Sequence, residues 1–150
     1  MKWAKQTHGF TIVELLIVIV VIGILAAITI VSFNGVQERA KTTQAQTDLR
    51  NLTQAITVAR NNTSKTLIGI TNAADSRQTK ATADAAIDAI AEASGINISG
   101  LKKGDPWGNW YRIDSNELEL NATDCRQDTI DVLNKIALAV RIPFSQAACL

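Results

Sequence analysis

The run from Phe10 to Phe33 constrains this chain more than any other feature, because Leu15 through Ile28 carries no polar side chain. At about 1.5 Å per residue, a helix over that run crosses the roughly 30 Å hydrocarbon core of a bilayer. One carboxylate, Glu14, stands at its start. Ionised carboxylates are expensive in hydrocarbon, so an acid in such a segment raises the question of what neutralises it. Snorkelling to the interface, protonation and pairing with a cation are the three answers open to it.

The apolar stretch exceeds the roughly 7 to 15 residues of an ordinary secretory signal core, and no small-x-small cleavage pattern interrupts its downstream edge. Lys2 and Lys5 precede it, and no Lys or Arg follows until Arg39. That asymmetry places the N-terminus in the cytoplasm and the remainder outside, as a single-pass protein of the cytoplasmic (inner) membrane. The expected divisions are a short basic leader over residues 1–9, a membrane helix over 10–33, to which the resemblance given below adds polymerisation, and a globular domain over 34–150 that includes the outer half of the helix.

From Val36 the pattern becomes amphipathic: Val36, Ala40, Ala45, Leu49, Leu52, Ile56 and Ala59 recur mostly at intervals of three or four. One helix from about 10 to 61 is therefore expected, its outer half presenting a stripe that a sheet can cover. Asn34-Gly35 is its weakest point by propensity, and Gly23 a second interruption; the alternative role for Gly23 is close helix packing. Past Asn61-Asn62-Thr63-Ser64, the segment to Ser76 reads as a loop or a short strand around Leu67 to Ile70. A shorter helix follows over Ala81 to Ala93, its apolar face built from Ala85, Ile87, Ala89, Ile90 and Ala93 and its end marked by Ser94-Gly95.

Beyond the breaker cluster Lys102-Lys103-Gly104-Asp105-Pro106, residues Asn109 to Asp114 and Glu117 to Asn121 flank Ser115-Asn116 as an antiparallel hairpin. In the tail, Ile130, Leu133, Ile136, Ala137 and Val140 have helical spacing, with Asp128 as N-cap and Pro143 as stop; a strand across Ala139 to Ile142 competes with that helix. The fold class is α+β, a long N-terminal helix packed against a small head with a short helix and an antiparallel sheet.

Composition removes several functions. The formal charge is +1 over 150 residues, which leaves no footprint for nucleic acid as the main partner, and DNA binding stays undetermined. The one histidine, His8, precedes the apolar run, and Ser, Asp and Lys occur without a recognisable nucleophile, base and orienter. An enzyme is not expected. Cys125 and Cys149 are expected to pair in an oxidising compartment, closing a loop of about 25 residues worth roughly 3 to 4 kcal/mol; two free thiols are the alternative. Asn51, Asn61, Asn62, Asn97 and Asn121 open Asn-x-Ser/Thr patterns, which are too short to assign a modification by themselves.

Gly9-Phe10-Thr11-Ile12-Val13-Glu14, followed by Leu15-Leu16-Ile17-Val18-Ile19, resembles the class III signal sequence of the type IV pilin superfamily, which includes type IV pilins and type II secretion pseudopilins. The resemblance covers residues 1 to about 40. It implies a pilin-like fold, cleavage by prepilin peptidase between Gly9 and Phe10, and methylation of the new Phe10 amine. It also implies extraction by a platform protein and an assembly ATPase into a helical homo-oligomeric filament, with minor pilins as further partners. The acid matching Glu14 then meets the N-terminal amine of a neighbour. Gly23 matches the family's usual glycine, whereas Val31 stands where many members carry proline, so helix loosening rests on Gly23, Asn34 and Gly35.

Asp105-Pro106-Trp107-Gly108-Asn109-Trp110-Tyr111 resembles the Asp-Pro-Trp-Gly-Asn-Pro-Tyr turn of major pseudopilins, with Trp110 at the usual proline position. Pro106 can fix a turn, Gly108 or Asn109 can take positive φ, and Trp107 can anchor it to the head. Related pseudopilins often hold calcium in a C-terminal loop; Asp124, Asp128 and Asp131 do not match that loop, and no cofactor or metal is expected. The leading function is a structural subunit of a pilus-like filament, extracellular once assembled. The alternatives are a major pseudopilin in a periplasmic pseudopilus and a membrane-tethered binding module.

Overall fold

The computed structural model describes residues 9–72, 79–116, 126–133 and 135–143. The chain divides into two compact units, Met1–Ala40 and Lys41–Leu150, with the boundary inside the first helix, α1 (Ile12–Thr63).

In the first unit the apolar side chains surround the helix and are uncovered: Ile12 is 82% exposed and Val36 64%. Ile and Val have only middling helix propensity. In hydrocarbon, however, a helix satisfies every backbone group within one segment, and α1 is long and apolar enough to cross a membrane. Thr29, just past the apolar stretch, turns its hydroxyl back onto the Leu25 and Ala26 carbonyls at 3.1 and 2.9 Å. Such back-bonding lets a polar residue lie on an apolar face.

In the second unit the stripe reads as expected from Ala45 onward. Ala45, Leu49, Leu52, Ile56 and Ala59 are buried and form one wall of the core. The helix runs on to Thr63, and Ser64 leaves it in the left-handed region (φ 54°). Leu67 to Ile70, expected as loop or strand, lies instead in a short helix, α2 (Leu67–Thr71). Thr66 caps it by accepting the Gly69 N–H, and Leu67 and Thr71, one turn apart, bury the same side.

The shorter helix, α3 (Lys80–Ser94), begins at Thr79, whose hydroxyl accepts the Thr82 N–H at 3.2 Å, and ends where the Gly95 N–H reaches Ala91 O. Its buried face is Ala83, Ala86, Ile87, Ile90 and Ser94. Ala85, assigned to that face from sequence, is exposed, because the i, i+3, i+4, i+7 series starts at Ala83, two positions nearer the cap. A 3₁₀ turn, Ser99–Lys103, follows and buries Leu101.

Three strands, β1 (Tyr111–Asp114), β2 (Thr129–Val132) and β3 (Val140–Arg141), form an antiparallel sheet in that order. The partner found for β1 is β2, with Tyr111 opposite Val132 and Ile113 opposite Ile130; Glu117 to Asn121, the hairpin arm expected from sequence, lies outside the described residues. The tail helix is not formed. Ile130 and Val132 alternate into the core beside Tyr111 and Ile113, a 3₁₀ turn occupies Ile136–Leu138, and β3 fulfils the competing strand reading. Period-two burial against a long-range partner overrides the local helical spacing.

Candidate functional site

The residues singled out at the N-terminus fall on the first turn of α1. Gly9 and Phe10 precede it, both exposed. Thr11 is the cap: its carbonyl accepts the Leu15 N–H, and its hydroxyl accepts the Glu14 N–H at 3.2 Å. Glu14 returns the bond, its Oε2 accepting the Thr11 N–H at 2.9 Å and the Thr11 hydroxyl at 2.7 Å. This is a capping box, in which two otherwise orphaned backbone donors are satisfied reciprocally. The Thr11-x-x-Glu14 spacing carries that signal in the sequence, beside the cost of the charge. In the single subunit the acid therefore has a local role, and among the described residues no cation sits on it.

The glycines expected to matter are not demanded by packing. A Cβ placed on Gly9, Gly23 or Gly35 meets nothing within 4 Å. Gly23, Asn34 and Gly35 all lie in the helical run of α1. Since glycine inside a helix costs about 1 kcal/mol relative to alanine, the fold of one subunit gives no reason for Gly23.

The turn from Asp105 to Asn109 is built as expected and more tightly. Asp105 Oδ1 accepts the Trp107 and Asn109 N–H groups at 2.8 and 2.9 Å, the Gly108 N–H donates to Asp105 O, and the Asp105 N–H donates to Asn109 O at 2.6 Å. Gly108 supplies the positive φ, at 90°. Gly104 was read only as a breaker, but at φ 92° a Cβ there would lie 2.4 Å from Asn109 O, so no other residue fits without moving the turn. Trp107 packs on the core with the Lys135 ammonium 4.6 Å from its ring centroid, an anchoring arrangement.

Two polar anchors were missed from sequence. Arg60, on the last turn of α1, pairs with Asp128, both buried, and its guanidinium donates to Pro143 O at 2.5 Å. Asp128 also accepts the Asn116 N–H at 2.5 Å, and its carbonyl accepts the Ile142 N–H at 2.8 Å. Asp128 is thus a junction between chain segments and not a helix cap. Tyr111, buried on β1, donates its hydroxyl to Asp48 Oδ2 at 2.6 Å. Burial first, then the bond to Asp48 and the charges of Asp48 and Asp105, push the phenol well above its ordinary value.

Cys125, Cys149 and Asp124 lie outside the described residues. Among the described residues no three His, Cys, Asp or Glu side chains gather as a metal site, and Asp131 is occupied by Arg112 directly across the sheet at 2.6 Å. A cleft of about 280 Å³ lies between Asp48, Asn51 and Gln54 of α1 and the segment Ile96 to Leu101.

Residues 4–30 match the family described as the prokaryotic N-terminal methylation motif. The type IV major pilin protein PilA of Myxococcus xanthus is 48% identical over 51 residues, covering 34% of this chain and 23% of that protein. The type II secretion system core protein G of Pseudomonas aeruginosa is 35% identical over 52 residues, covering 35% of this chain and 37% of that protein. The matched stretch spans well under half the length of either relative. No solved structure matches the chain.

Proposed function

We propose, from the premise that the N-terminal segment assigns this chain to the type IV pilin and pseudopilin superfamily, that the protein is a structural subunit of a pilus-like filament. Prepilin peptidase removes residues 1–9 after Gly9, and the subunit polymerises through residues 10–33. The observation that carries this reading is the uncovered apolar surface from Phe10 to Val36, headed by one acid and open on all sides. Such a surface needs lipid before assembly and neighbouring helices after it.

Cleavage creates an amine at Phe10, one residue from the cap. In a filament that amine, methylated, serves as the cation for Glu14 of a neighbour, and Glu14 exchanges its bonds to Thr11 for it. Desolvation offsets much of the attraction in a buried pair, while a misregistered subunit leaves a charge unpaired, so the pair specifies register. The unexplained Gly23 acquires a role here, in close helix packing or local loosening, together with Asn34 and Gly35. The platform protein, ATPase and minor pilins are the corresponding partners. Pairing of Cys125 with Cys149 belongs to the same reading, since it places the head in a compartment outside the reducing cytoplasm.

The test is Glu14→Ala. Membrane insertion and leader removal persist, and incorporation into sheared surface filaments drops sharply; normal incorporation of this variant overturns the reading. The turn at Asp105 to Asn109 favours a second reading, a major pseudopilin. Enrichment in a periplasmic secretion complex with absence from surface fibres selects it.

A further inference from the structure

We infer that Asn97 is the acceptor of an N-linked saccharide, delivered to the extracytoplasmic head from a lipid-pyrophosphate carrier. The sequence alone offers five Asn-x-Ser/Thr patterns and no means of choosing; the structure separates the four it describes by what their polar groups already do. Asn51 and Asn61 lie on α1, and the hydroxyls of their partners, Thr53 and Thr63, are folded onto the Leu49 and Ala59 carbonyls at 2.8 and 2.7 Å. Asn62 has committed its amide nitrogen, donating to the Ala93 and Ser94 carbonyls at 3.1 and 3.4 Å.

Asn97 shares its exposure with the other three and differs in its setting. It is exposed in the loop between α3 and the Ser99–Lys103 turn, and its Oδ1 accepts both the Ser99 hydroxyl at 2.7 Å and the Ser99 N–H at 3.1 Å. The two bonds fix the carboxamide in an Asx turn and occupy its oxygen. They leave Nδ2 of this exposed side chain without a bond among the described residues, with the hydroxyl of the pattern already on the same carboxamide. A helix forbids that turn, which is why the patterns on α1 do not form it.

The transfer balances without an oxidant. Nδ2 of Asn97 forms a bond to the anomeric carbon of the sugar, and the bond from that carbon to phosphate oxygen breaks. The lipid pyrophosphate leaves with the electron pair, and one amide proton passes to a base of the membrane transferase. Asn97 lies on the wall of the cleft that Asp48, Asn51 and Gln54 also line, so the first sugar finds polar neighbours. The inference rests on the head being outside the cytoplasm, and not on filament formation.

Full-length protein from the envelope of the cells that make it is digested after Lys and Arg and read by mass spectrometry. The three regions separate: Asn51 falls in peptide 51–60, Asn61 and Asn62 in 61–65, and Asn97 alone in 81–102. Peptide 81–102 is expected to carry a saccharide that amidase treatment in heavy-oxygen water removes, leaving a labelled aspartate at Asn97. Asn97→Gln and Ser99→Ala lose it; Ser99→Thr keeps it. An unmodified peptide 81–102, a saccharide on Ser99, or one on Asn51 or Asn62 in its place overturns the inference. Glycosylated protein found only as anchored monomers upholds it while breaking the filament reading.

Discussion

Glu14 and Asp128 are both carboxylates at helix-cap or apparent helix-cap positions, yet the units that hold them use them in opposite ways. Glu14, in the first unit, is fully exposed and bonded within its own turn, so nothing distant depends on it. Asp128, in the second, is buried against Arg60 and joins the end of α1 to Asn116 and, through its carbonyl, to Ile142. The first unit leaves its apolar surface and its acid available, as a part meant for further contacts does. The second has internalised both, as a self-sufficient core does.

The largest effect that can sharpen this contrast is Asp128→Ala, expected to cost the head about 3 to 5 kcal/mol because it strands a buried guanidinium. Thermal melting of the full chain in detergent measures it. Glu14→Ala, melted alongside, leaves the head transition in place; equal losses in the two variants would break the comparison.

A smaller effect comes from Tyr111, the only tyrosine in the chain. Its folded pKa is raised, so above about pH 10 the unfolded chain gives up the phenolic proton first and the folded state holds more protons. Stability from this group is full below that point and falls as pH rises above it. Absorbance of tyrosinate, which reports this one residue, is expected to rise together with unfolding, and Tyr111→Phe flattens the alkaline limb of the stability profile. Tyrosinate forming ahead of unfolding would show the bond to Asp48 to be open to solvent. The smallest effect is that of Arg112→Ala, within about 1 kcal/mol by denaturant titration, since the pair with Asp131 is only partly covered.

What could be read from sequence follows the range of the forces involved. The stripe Ala45, Leu49, Leu52, Ile56 and Ala59 was legible because a helix writes its burial into a local period. The turn at Asp105 was legible because its bonds close within five residues. The tail was not: Ile130, Leu133, Ile136, Ala137 and Val140 carry a helical period, and only the partners Tyr111 and Ile113 on β1 turn it into strand. Asp128 looked like a cap because Arg60, its true partner, lies 68 positions away. The cap at Thr11 and Glu14 is as local as the turn, its signal being the Thr-x-x-Glu spacing alone.

The capping box has a consequence for maturation. Thr11 and Glu14 close the first turn between themselves, so two of its backbone donors are satisfied within the helix itself. On the proposed reading, scission of the Gly9–Phe10 bond alters the electrical character of the chain end without asking that first turn to rearrange. A subunit matured in that way is primed by chemistry alone, the first turn of its helix being closed before the bond is cut.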